Sequence, residues 1–212
     1  MATVTSDSVE RLRVATIETH RLRLRPWSER DVEAYAEIIG DPDVVHYLGS
    51  GRRYRLKRVA AAIVARFSRL EARRAIRSLN AHWARHGYGE WAVEEKATGR
   101  LVGQVGLHYH GDWVAEPTKT EVGWLFARDA WGRGYATEAA AASLVHAFDR
   151  LELDRLVSIA LIGNERSIRV MERIGLARAG ETHWRGSDVV WYALERDEWE
   201  RQRAAAGNGA AT

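Results

Sequence analysis

No cysteine occurs among the 212 residues, so disulfides, thiolate metal sites and cysteine nucleophiles are excluded and any chemistry rests on other groups. No stretch approaches the roughly 18 consecutive apolar residues of a membrane span, and the opening MATVTSDSVE lacks the basic and apolar regions of a signal peptide. A cytoplasmic protein is expected. Glycine and proline are both missing from Arg52 to His86, which favours helix throughout that stretch. What remains is ordinary for a soluble domain, with 46% hydrophobic and 29% charged residues, and the length suits one packed domain rather than two.

The net charge of +3 is unevenly spread. Between Ser50 and Leu79 ten arginines and lysines face a single acidic residue, Glu71, so that segment carries +9 and the rest of the chain −6. Such a patch suits an anionic partner or a solvated helix face. Ser68 and Glu71 form an S-x-x-E capping pattern, which predicts a break between a first helix lined by Val59, Ile63 and Phe67 and a second lined by Ala72, Ile76, Leu79 and Trp83.

Before this segment, His20 to Pro26 alternates as a strand, and Ser28 with Asp31 opens a helix that stops near Gly40 and Pro42. After it, GEWAVEE and LVGQVGLHYH read as two antiparallel strands joined at ATGR, with TEVGWLFA as a third. A helix from about Thr137 to Phe148, the strand RLVSIAL, a helix over NERSIRVMERIG capped by Asn164, and a strand over about Asp188 to Leu194 follow. The tail RAAAGNGAAT is expected to be disordered. The domain plan is an N-terminal extension over 1–15, one domain over 16–200 with an added basic helix over 52–67, and a tail over 201–212.

The turn WGRGYA lies between a strand and a helix, the geometry that presents backbone N–H groups and a helix dipole to an anion. It lacks the Gly-Lys-Ser/Thr of a P-loop, and Thr137 stands where a dinucleotide fingerprint needs a third small residue. On its own residues it is either an anion cradle or a tight turn without a ligand. His108 and His110, two apart on one strand face, lack a third metal ligand pattern and are ordinary strand histidines or a wall of an acceptor pocket. No metal site is expected. Most tryptophans are core by composition, while Trp113 and Trp184, in loop-like settings, are candidates to line a substrate cleft.

EVGWLF, W-G-R-G-Y-A and, some thirty residues later, N-E-R-S-I-R-V-M-E-R-I-G-L together resemble the GCN5-related N-acetyltransferase (GNAT) superfamily. The chain is most similar to the branch that holds the ribosomal-protein acetyltransferases RimJ and RimL. THRLRLRPWSERDVEAYAEIIGDPDVVHYL and HWARHGYGEWAV extend the likeness over Thr19 to Leu194. The resemblance implies an α/β (α+β) fold with a central, mostly antiparallel mixed sheet flanked by helices and an acyl-CoA held at a splay between central strands. It implies that the backbone of Trp124, Leu125, Phe126 and Ala127 pairs with the pantetheine arm. The pyrophosphate then falls to Gly132, Arg133, Gly134, Tyr135, Ala136 and Thr137, with the guanidinium of Arg133 suited to phosphate oxygens. Asn164 matches a position that meets the pantetheine, Ser167 one that protonates the departing thiolate, and Glu121 the base that deprotonates the amine. Two positions depart from the pattern: Trp131 replaces a usual Gln or Arg, and Met171 a tyrosine common elsewhere in the superfamily.

The implied activity is transfer of an acetyl group from acetyl-CoA, without a metal, to a primary amine, first a protein N-terminal amine. Alternatives are a small-molecule amine (an antibiotic, amino acid or polyamine), another donor such as succinyl-CoA, a noncatalytic acyl-CoA sensor, or an RNA-binding accessory role through the arginines of 52–77. The partners implied are an acyl-CoA, an amine-bearing peptide or small molecule and a second copy of the chain as a homodimer, with no membrane and no nucleic acid expected.

Overall fold

In a computed structural model of the chain, residues 14–47 and 61–209 are described, the side chains of 61–67 and 207–209 excepted. In chain order the elements are β1 Ile17–Glu18, β2 Leu22–Arg25, α1 Val32–Gly40, α2 Pro42–Val45, α3 Ala61–His86, β3 Glu90–Glu95, β4 Arg100–Tyr109 and β5 Thr120–Phe126. Then come α4 Tyr135–Val145, β6 Arg155–Leu161, α5 Glu165–Arg173, β7 Ala177–Trp184, β8 Ser187–Glu195 and α6 Arg196–Gly209. The eight strands form one sheet in the order β1-β2-β3-β4-β5-β6-β8-β7. Every neighbouring pair is antiparallel except β5 and β6.

Period-two alternation gives the sheet two apolar faces. On one face Ala92, Leu101 and Leu125 pack under α1, α2 and α3, with Trp27, Tyr35, Ile39 and Ile76 between them. On the other, Trp91, Val93, Val105, Leu107, Val122 and Phe126 pack under α4, α5 and α6, against Leu144, Phe148, Met171 and Trp199. Helix α1 begins as expected: the Asp31 carboxylate accepts the Ser28 N–H at 2.8 Å, and a short 3-10 turn, Glu29–Asp31, leads into the helix.

Three expectations are corrected. There is no break at Ser68: α3 runs unbroken from Ala61 to His86. Ser68 is buried against Gly40 at the end of α1, so packing between the two helices, rather than solvent exposure of a cap, decides the local conformation. The apolar line Ala72, Ile76, Leu79 and Trp83 is where the spacing placed it, whereas Arg52 to Ala60 of the expected added helix, Val59 included, lie outside the described residues. The tail is helical as far as Gly209, because Trp199 is buried against Phe148 at a ring separation of 5.0 Å and the Arg196 guanidinium donates to the Phe148 carbonyl. Finally, Trp184 is not in a loop. It ends β7, a strand the sequence reading passes over, at a two-residue turn to β8 in which Arg185 and Gly186 both have positive φ (50° and 80°). That is the hairpin geometry Asn-Gly or Asp-Gly usually announces, here written Arg-Gly.

Candidate active site

The two parallel strands meet at a single registered pair, Glu121 with Val157, and a cavity of about 810 Å³ opens beyond it. Its walls are Gly123 to Phe126 of β5, Ser158 to Leu161 of β6, the turn before α4, and the face of α5 that carries Asn164, Ser167 and Met171. Glu121 holds the wedge open. Its Oε1 accepts the Ile159 N–H at 3.0 Å, where a continued ladder would place a β5 carbonyl, so a backbone donor that needs a partner finds a carboxylate instead. The unpaired edge of β5 is thereby turned toward the cavity.

At one end lies the glycine turn. Gly132 and Gly134 take φ of 74° and 77°, conformations that side chains disfavour, and Gly134 is the N-cap of α4. The turn is tied down from outside: Arg21 donates to the Arg133 carbonyl at 2.8 Å and pairs with Glu138 at 2.7 Å. Gly132, Gly134, Tyr135, Ala136 and Thr137 line the cavity. Arg133 does not: its guanidinium folds back to Glu95 at 2.7 Å and lies 4.6 Å from the Tyr135 ring. Ala127 also lies outside, its N–H donating to Val102 across the sheet. Arg166, Arg169 and Arg173 of α5 line the cavity instead, as does Arg185 of the β7–β8 turn. Sequence reasoning missed the three of α5, although a spacing of three and seven residues in NERSIRVMER places them on one helical face.

Trp131 belongs to the same end. Its indole N–H donates to the Phe126 carbonyl at 2.9 Å, closing the turn onto the end of β5, and the Arg166 guanidinium sits 4.5 Å from its ring centroid. The Tyr135 hydroxyl donates to Glu95 at 2.5 Å. That bond, with Thr98 and Arg133, holds the Glu95 carboxyl at a pKa of about 2. On α5 the Asn164 side chain accepts the Ser167 N–H at 3.3 Å, so it caps the helix and lines the cavity at once. Ser167 also lines it.

Polar groups from three strands converge at the other end. Glu121 Oε2 lies 2.5 Å from His110 Nε2, and both residues line the cavity with Glu90, Gln104 and Trp184. His108 stands behind this wall rather than in it: Glu90 bonds it at 3.1 Å and raises its pKa. His108 also stacks on His82 at 4.4 Å. His82 is pinned as a neutral ring, its Nδ1–H donating to the Tyr88 carbonyl and its Nε2 accepting the Tyr109 N–H. Its pKa is lowered to about 4, chiefly by burial. Trp113 is fully buried between Trp184 and Trp191 and is core, not cleft.

Comparison with known proteins agrees with this geometry. Residues 21–177 match the family described as Acetyltransferase (GNAT) domain. The chain is 33% identical over 164 residues to the uncharacterized protein YkkB of Bacillus subtilis (strain 168), covering 74% of this chain and 83% of that one. It is 35% identical over 111 residues to "Putative ribosomal N-acetyltransferase YdaF" of the same organism, covering 50% of this chain and 59% of YdaF. The crystal structure of an acetyltransferase from Agrobacterium tumefaciens str. C58 is 29% identical, with a TM-score of 0.67 over 86% of this chain and 95% of that one. With the family matched over most of its length and the sheet splayed at the required strands, the chain belongs to the GNAT family and is an acyl-CoA N-acetyltransferase.

Proposed function

We propose that this enzyme carries an acetyl group from acetyl-CoA to a primary amine, first a protein N-terminal amine, with Glu121 as the base and Ser167 as the acid. The observation that supports the reading is that Glu121 of β5 and Ser167 of α5 both line one cavity. Its volume is of the size that holds a cofactor-sized ligand. The pantetheine arm lies along the open edge of β5, from Trp124 to Phe126, and the pyrophosphate on the N–H groups of Gly132 to Thr137, helped by the start of α4. Arg166, Arg169 and Arg173 take the part expected of Arg133.

The amine arrives as an ammonium and must lose a proton before it attacks. The nitrogen then bonds to the thioester carbonyl carbon, the carbon–sulfur bond breaks, and Ser167 passes a proton to the departing sulfur. The name of YdaF supports a ribosomal protein amine as acceptor. A cytoplasmic location fits such a target, and among the described residues no helix is long and apolar enough to cross a membrane.

A free-thiol release assay crossing acetyl-CoA and succinyl-CoA with N-terminal peptides, amino acids and aminoglycosides tests the reading. Turnover is expected with acetyl-CoA and peptide N termini. Glu121→Gln is expected to lower kcat by about 100-fold or more while CoA affinity holds. Tight CoA binding without turnover of any acceptor would make the protein a sensor instead.

A further inference from the structure

On the sheet face toward α1, Glu90 of β3 stands opposite Gly106 of β4, and Gly106 opposite Gly123 of β5. Gly123 lines the cavity, and a Cβ there would meet nothing within 4 Å except the Glu121 carboxyl group. Two glycines in one row therefore leave the floor bare between Glu90 and the strand that carries Glu121. Adjacent strands lie about 4.8 Å apart, so β3 and β5 are separated by roughly 10 Å. A molecule with a polar group at each end of a long side chain spans that distance.

Glu90 is fixed there without a permanent cation. Its Oε2 accepts the Gln104 amide at 2.5 Å, and Gln104 is oriented in turn by the Tyr35 hydroxyl, which donates to Oε1 of the amide at 2.5 Å. The other Glu90 oxygen meets His108 Nδ1 at 3.1 Å, a partner that is charged only while protonated. Among the described residues no lysine or arginine pairs with Glu90, although its side chain is only 12% exposed. A carboxylate so far withdrawn from water is stabilised by a cation, and its two oxygens have about four lone-pair directions, which these two bonds do not fill. The other charges at this end are matched: Glu121 lies against His110, and Asp112 accepts two bonds from Arg185 at 2.8 Å.

We propose that Glu90 is a subsite for a second cation on the acceptor, so that the reacting amine meets Glu121 while a guanidinium or ammonium one long side chain away is held by Glu90. This rests on the acyl-transfer reading above and names the acceptor class within it. The class is an amine with a second positive charge, carried by the first side chain of a peptide or by a small diamine. A guanidinium finds two carboxylate oxygens already positioned by Gln104 and His108. An uncharged first side chain leaves the buried carboxylate without that partner.

Two pairs of acceptors test this with the full-length protein: peptides that begin with arginine or with its neutral isostere citrulline, and 1,5-diaminopentane against 1-aminopentane. In at least one pair the doubly charged member is expected to have a kcat/KM about tenfold higher or more, and the pair that discriminates identifies the source. Glu90→Gln should bring that ratio to about one, with CoA binding by calorimetry reporting an intact fold. Equal kcat/KM within both pairs in the wild-type protein, or a preference that survives Glu90→Gln, would overturn the proposal. Calorimetric titration of the same four compounds into the CoA-bound protein needs no turnover and should show the same preference in affinity. If no acceptor turns over while that preference holds and is lost in Glu90→Gln, the acyl-transfer reading fails and the subsite stands. Turnover with no preference in rate or affinity sinks the subsite alone.

Discussion

Gly134 carries the most exposed consequence of the turn's geometry. At φ 77° a side chain is strained, and a Cβ there would stand 3.3 Å from the Arg21 guanidinium that anchors the turn. Gly134→Val is therefore expected to raise the KM for acetyl-CoA at least tenfold, roughly the cost of 1.4 kcal/mol or more in binding. Unaltered CoA binding by calorimetry would remove the pyrophosphate assignment. The motif positions around it were legible as letters because a glycine turn between a strand and a helix depends on backbone, which glycine spacing reports directly. Side-chain destinations were not. Arg133 looks like a phosphate ligand in the sequence, yet Glu95, seven residues past Tyr88 on a distant strand, captures it. Met171, where the family resemblance implies a tyrosine, is 1% exposed and lines the cavity.

At the scale of single elements, α5 depends on its cap. Asn164→Ala removes the acceptor for the Ser167 N–H and should cost about 1 kcal/mol of stability, measured by urea unfolding, while loosening the wall that presents Ser167. Helix α3 supplies a pH-dependent contact through His82. Its folded pKa of about 4 lies below the ordinary 6.5, so the unfolded chain binds the proton more readily. The stability this ring contributes is complete above about pH 6.5 and is lost as pH falls toward 4. Denaturant unfolding across that window should show the loss, and His82→Asn should flatten it; a profile unchanged by the substitution would exclude His82 as its source. Among the elements, the β3–β4 hairpin and β5 could be read because alternation and turn residues agree there. The capping pattern at Ser68 misled because a local rule is outweighed when the residue is buried against another helix. β7 escaped notice because its exposed edge, ARAGETHW, is largely polar, so no apolar period marks it.

Across the whole molecule, α6 closes the sheet face that α4 and α5 leave open. Trp199 is 6% exposed, between Phe148 and the Arg203 guanidinium at 4.4 Å from its ring. Trp199→Ala should cost about 3–5 kcal/mol and lower the thermal midpoint while leaving the pH profile of turnover unmoved. A variant as stable as wild type would show that the helix merely rests on the domain.

The amino-acid order alone settled most strands and helices and the strand–turn–helix unit around the glycine turn, while the class of fold and the candidacy of Glu121, Asn164 and Ser167 came from the family resemblance that the spaced motifs carry. The elements depend on local period and backbone conformation, and the resemblance on motif order along the chain. Folding in three dimensions decided which charges meet. It sent Arg133 to Glu95, brought three arginines of α5 to the cavity, and set His110, just past β4, against Glu121 of β5. Such contacts depend on strand order and on the splay at a single registered pair, and partners that far apart along the chain leave no periodic trace in it.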